Sequence, residues 1–108
     1  MSKEDVLANF QESFLIPKNE YGEYLHADIL QKANTMILHD RNGVVEALRY
    51  WISLREDTKT TLAVVIIQDL ILQELKPDLE ILKKEIIKNK IFKPYCIGWV
   101  NRALSALS

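Results

Sequence analysis

Cysteine is the scarcest chemistry in this chain of 108 residues: Cys96 stands alone, which excludes an internal disulfide and a cysteine-cluster metal site. Histidine is nearly as scarce, and His26 and His39 cannot make a three-histidine metal centre. Gly22, Gly43 and Gly98 are isolated, so no glycine-rich loop is present to cradle a phosphate. No apolar run approaches the ~18–20 residues that span a bilayer. The opening Met1-Ser2-Lys3-Glu4-Asp5 lacks the apolar core of a secretory leader. A cytoplasmic protein with no membrane partner is therefore the expectation. Charge of one sign is also missing overall, since fourteen Lys and Arg against fifteen Asp and Glu leave a net of -1. That balance carries no global bias toward nucleic acid or an anionic surface.

What remains is 48% apolar and 27% charged, a composition that favours a packed core over disorder. The length predicts one domain over residues 1–108. Apolar periodicity predicts six helices and an all-α fold. The first covers residues 3–15 on Val6, Leu7, Phe10 and Phe14, and Ile16-Pro17 closes it. The second covers 20–39, with Leu25, Ile29, Ala33, Met36 and Ile37 on one side. Asp40-Arg41-Asn42-Gly43 is a turn, with Asn42 available to cap a third helix over 43–55 that points Val44, Leu48, Trp51 and Ile52 inward. A fourth helix over 59–75 follows Asp57-Thr58, either of which can cap it. Its Val64-Val65-Ile66-Ile67 stretch has strand character, but the pattern continues too far for a strand. Pro77 and Pro94 mark the starts of the last two helices. The fifth turns Leu79, Leu82 and Ile86 inward, and the sixth Ile97, Val100, Leu104 and Leu107.

A 34-residue shift places Leu48 on Leu82, Ile52 on Ile86 and Leu70 on Leu104. A 38-residue shift places Leu7, Phe10 and Phe14 on Val45, Leu48 and Ile52. Three helix pairs of such a period are the pattern of a short helical solenoid. With the string Trp99-Val100-Asn101-Arg102-Ala103-Leu104-Ser105-Ala106-Leu107, the chain resembles the HEAT-like and armadillo-like α-helical repeat superfamily. The resemblance implies three antiparallel helical hairpins stacked in order; a closed six-helix bundle is the alternative.

Candidate chemistry is sparse. Glu23 and His26 have the spacing of half a di-iron helix motif, which needs a second copy that is absent. Cys96 reads as a small buried hydrophobe beside Ile97 and Val100 more simply than as a nucleophile. No catalytic residue, cofactor or metal ligand is expected. Charge is uneven, however: residues 1–75 carry a net of -5 and residues 76–108 a net of +4. Five lysines lie between residues 83 and 93, among them Lys83, Lys84 and Lys88. They read as a solvated helix end or as a patch for an acidic partner, and without arginine they lack bidentate phosphate recognition. At about 100° per residue, Tyr95, Trp99 and Arg102 fall within about 60° of one another, beside the apolar stripe of the sixth helix. Tyr, Trp and Arg are the types enriched in binding hot spots, and in a HEAT-like arrangement this flank faces the concave groove. The competing role for Trp99 is covering the end of the core. The expected function is a non-catalytic protein–protein interaction module. The alternatives are an immunity- or antitoxin-type inhibitor, a nucleic-acid binder using the 83–93 lysines, and an enzyme whose site is assembled from dispersed Glu, His and Cys.

Overall fold

The computed structural model describes residues 3–15, 23–89 and 96–108, with the side chains of residues 23, 24, 89 and 96 outside that description. Among the described residues the fold is all-α, with no strand. Its helices are α1 (Lys3–Glu12), α2 (Glu23–Met36), α3 (Arg41–Ser53), α4 (Asp57–Leu70), α5 (Lys76–Asn89) and α6 (Cys96–Ala106). Two 3-10 turns, Ser13–Leu15 and Gln73–Leu75, continue α1 and precede α5. No described helix is long and apolar enough to cross a membrane. The chain divides into two compact units, Met1–Ala47 and Leu48–Ser108, the division falling inside α3.

In the first unit, α1 and its 3-10 turn pack on α2. Val6 and Phe10 of α1 and Leu25, Ile29, Ala33 and Met36 of α2 are buried, following the 3-4 spacing that sets one apolar face per helix. A polar clip fastens the pair. Buried Ser13 donates its hydroxyl to Asp28 Oδ2 at 2.5 Å. Lys32 Nζ reaches Asn9 O at 3.0 Å, Ser13 Oγ at 2.9 Å and Asp28 Oδ2 at 3.2 Å, which uses all three of its donors. The Ser13 hydroxyl first, and Lys32 after it, hold the Asp28 carboxyl below the usual carboxylate range.

The start of α3 corrects the expected cap. Gly43 N–H donates to Asp40 Oδ1 at 2.9 Å, so Asp40, not Asn42, caps the helix. An aspartate at that place satisfies one of the four orphan N–H groups and complements the dipole.

In the second unit, α6 packs against both α4 and α5. The buried set includes Ala63, Val64, Ile66 and Ile67 of α4, Leu79, Leu82 and Ile86 of α5, and Val100, Ala103 and Leu107 of α6. Full burial of each large aliphatic side chain contributes about 1.5–3 kcal/mol. Ile97 and Leu104, expected in the inner stripe of the last helix, are only half-buried. The small Ala103 takes the centre instead, because α6 is shared between two neighbours and its buried face is centred between Ala103 and Val100. Pro94 lies outside the described residues; Pro77 is the second residue of α5, one later than expected, where its missing N–H is still without cost.

Two further corrections concern α4. Its N-cap is Glu56, which makes no side-chain cap bond, and neither Asp57 nor Thr58 fills that role. Thr60 does the work in reverse, its hydroxyl accepting the Glu56 N–H at 3.0 Å and donating to Trp51 O at 2.9 Å. The helix also ends at Leu70 rather than running to residue 75. Ile71 adopts φ 54, ψ 58, and the N–H groups of Ile71 and Leu72 both turn back to Ile67 O. This left-handed stop places Leu72 and Leu75 fully in the core before α5 begins.

A β-branched side chain at positive φ is strained, by of order 1–3 kcal/mol. Ile71 is also 52% exposed, so its side chain recovers little of that cost by burial. Ile71→Gly is therefore expected to stabilise the protein by about 1 kcal/mol, read as a higher midpoint in urea with an unchanged slope.

Candidate functional site

The sequence-predicted residues fall on different flanks. Trp99 is half-buried. With Thr60, Thr61, Val64, Leu82, Ile86 and Val100 it lines a partly open pocket of about 10 Å³, which has room for one water at most. Arg102 is exposed and places its guanidinium carbon 4.9 Å from the centre of the Trp99 ring. One side of the indole thus covers the α4–α5 seam, and a cation covers the ring. Tyr95 lies outside the described residues. Cys96 opens α6, with its side chain outside the description.

Leu104 lies roughly 140° around α6 from Trp99, on the opposite side of the buried stripe. There it lines an open groove of about 400 Å³ with Ser108 and five residues of α5: Lys76, Glu80, Lys83, Lys84 and Ile87. The structure therefore separates Trp99 and Arg102 from Lys83 and Lys84. Lys88, one turn beyond Lys84, is exposed but does not line the groove.

The opposite side of α5 provides a contrast in charge. Arg49 Nε lies 3.3 Å from both Asp78 oxygens, and its Nη2 lies 3.4 Å from Glu74 O. Arg55, itself at φ 51, ends α3 by donating through Nη1 to Ile52 O, and its Nη2 reaches Glu85 Oε2 at 2.5 Å. Hydrogen bonding from Arg55 holds the Glu85 carboxyl below its usual range. These pairs take up Asp78 and Glu85, two of the three carboxylates of α5. Among the described residues, Lys76, Lys83, Lys84 and Lys88 have no ion-pair partner within 4.0 Å. Ile87, 62% exposed, stands among them. The groove is thus a basic rim around a small apolar floor, with Glu80 as its one acidic side chain.

Sequence reasoning missed two features. The Ile87–Leu104 floor is hidden in the sequence because the 3-4 spacing places Leu104 in the inner stripe and does not say which edge of a stripe faces a second helix. The Ser13–Asp28–Lys32 clip joins residues fifteen and nineteen apart across two helices, where no local spacing rule applies. Among the described residues, no three His, Cys, Asp or Glu side chains are grouped to hold a metal ion. Compared with protein-family models, curated proteins and solved structures, this all-α chain matches none.

Asp28 and Glu85 imply an acid-sensitive fold. Each is depressed in the folded state, so each stabilises fully above the ordinary carboxylate range and loses that contribution as pH falls. The melting temperature should decline from about pH 4.3 downward. Asp28→Asn and Glu85→Gln should each melt lower at neutral pH and show a shallower acid decline.

Proposed function

We propose that the protein is a non-catalytic protein-binding module that acts through the α5–α6 groove and belongs in the cytoplasm. The observation that carries this reading is the unneutralised Lys76–Lys83–Lys84 rim around Ile87 and Leu104, on a helix whose other side uses its carboxylates internally. An apolar floor with a charged rim is the general anatomy of a protein interface. Lysine, a point charge without a planar fork, suits carboxylates distributed on a protein more than a phosphate held bidentately. The HEAT-like reading is part of the same proposal: α6 shares its apolar face with the helix before it and the one before that, as stacked repeats do.

The test is affinity capture from native extract with the wild type and with Lys83→Glu/Lys84→Glu, both confirmed as folded by circular dichroism. A discrete protein retained by the wild type and lost with the double variant is the expected result. Identical retention by both, or recovery of nucleic acid in place of protein, would overturn the proposal.

A further inference from the structure

We infer that the occupant of the α5–α6 groove is an amphipathic helix with acidic flanks, contributed by another protein; this rests on the protein-binding reading above and specifies its partner. Peptide recognition has few physical modes, and the groove discriminates among them. Strand addition requires a free sheet edge, and the described residues contain no strand. Polyproline recognition requires an aromatic-lined groove, and none of the seven lining residues is aromatic. Phosphopeptide capture relies on arginine forks, and every basic residue lining this groove is lysine. Of these modes, a helix laid in a groove is the one whose needs, an apolar floor and a complementary rim, the lining meets.

The dimensions agree with that choice. Lys76 and Lys83 are seven residues apart and Lys84 is next to Lys83, so the cations span about two turns, or ~11 Å, along α5. Ile87 extends the strip by one more turn. A docked helix with apolar residues at i, i+3 or i+4 and i+7 presents anchors over the same two turns. Acidic residues beside those anchors then meet Lys76 at one end and Lys83 and Lys84 at the other. Glu80, in the middle, disfavours a carboxylate there and so sets where along the helix the acids stand. Ile87, 62% exposed, lies among these three lysines, where the partner's apolar face covers it.

The experiment measures fluorescence anisotropy of a labelled, end-capped peptide of about four turns, with Leu at i, i+3 and i+7 and Glu on both flanks, titrated with the whole protein. Binding is expected at physiological ionic strength, weakened about tenfold or more by Lys83→Glu/Lys84→Glu and by Ile87→Ser, a surface change that leaves the core intact. Replacing the peptide's Leu residues by Ser, or its Glu residues by Lys, should abolish binding. The same peptide should displace the protein captured from extract. Equal binding of the Leu-free acidic peptide or of duplex DNA would reduce the groove to a generic cation and overturn the inference. Concentration-dependent self-association abolished by the same variants would make a second copy the occupant, with the same consequence. No peptide binding, while capture from extract still requires Lys83 and Lys84, would discard the acidic helix and leave the protein-binding proposal standing; loss of both would discard both.

Discussion

Replacing Trp99 by alanine is expected to destabilise the Leu48–Ser108 unit by about 2–3 kcal/mol, slightly under the ~3–5 kcal/mol of a fully buried aromatic truncation. Trp99 is half-buried and lines, with Thr60, Val64, Leu82 and Ile86, a pocket of only about 10 Å³. Truncation removes that cover and opens the α4–α5 seam to water. In a unit of this size the melting temperature should fall by roughly 10–15 °C. Arg102→Ala removes only the exposed cation above the ring and should cost about 0.5–1 kcal/mol. If Trp99 were a binding anchor with no packing role, the alanine variant would melt like the wild type and lose only its partner. Thermal melts of the two variants, followed by affinity for the acidic peptide, separate those roles: the groove lies on the other flank of α6, so a folded Trp99→Ala protein should retain peptide binding.

Thr60→Val should destabilise the same unit by about 2–3 kcal/mol, although it replaces one methyl-sized group by another. The last turn of α3 tightens, so that Arg55 N–H bonds to Ile52 O and Trp51 O is satisfied by the Thr60 hydroxyl. That hydroxyl also accepts the Glu56 N–H at the mouth of α4. Thr60 is 2% exposed, so water cannot replace it at the Trp51 carbonyl without local opening. Valine leaves the carbonyl and the N–H without their partner. Thr60→Ser retains the oxygen and loses a methyl, and should recover most of the stability. Chemical denaturation of the three proteins gives the comparison; equal midpoints for Thr60→Val and wild type would show that the hydroxyl contributes nothing.

The helical class and most of its inner faces are legible in the order of residues alone. Val6 and Phe10, Leu25, Ile29, Ala33 and Met36, Val44, Leu48, Trp51 and Ile52, and Leu79, Leu82 and Ile86 recur at helical spacing and are buried, whereas Leu7, Phe14 and Ile37 of the expected faces are only half-buried. Such faces are readable because a helix that contacts a core on one side imposes a local period on its own sequence. The Val64–Ile67 run was also decided locally, by its length. Tertiary structure decided the rest. It stopped α4 at Ile71, where no glycine or proline announces a turn, because burial of Leu72 and Leu75 outweighs the strain of a left-handed isoleucine. It gave the α4 start to Thr60, whose partner Trp51 is nine residues earlier. It moved the centre of α6 to Ala103, since a helix between two neighbours needs a small residue where both approach. It paired Arg49 and Arg55 with Asp78 and Glu85, twenty-nine and thirty residues away, and so left the lysines of α5 unneutralised around Ile87. The sequence determines which residues seek burial and which carry charge, because both are properties of single side chains and local spacing. Which charges cancel, and which apolar edge stays open, depends on distances between helices, and only the packed structure sets those.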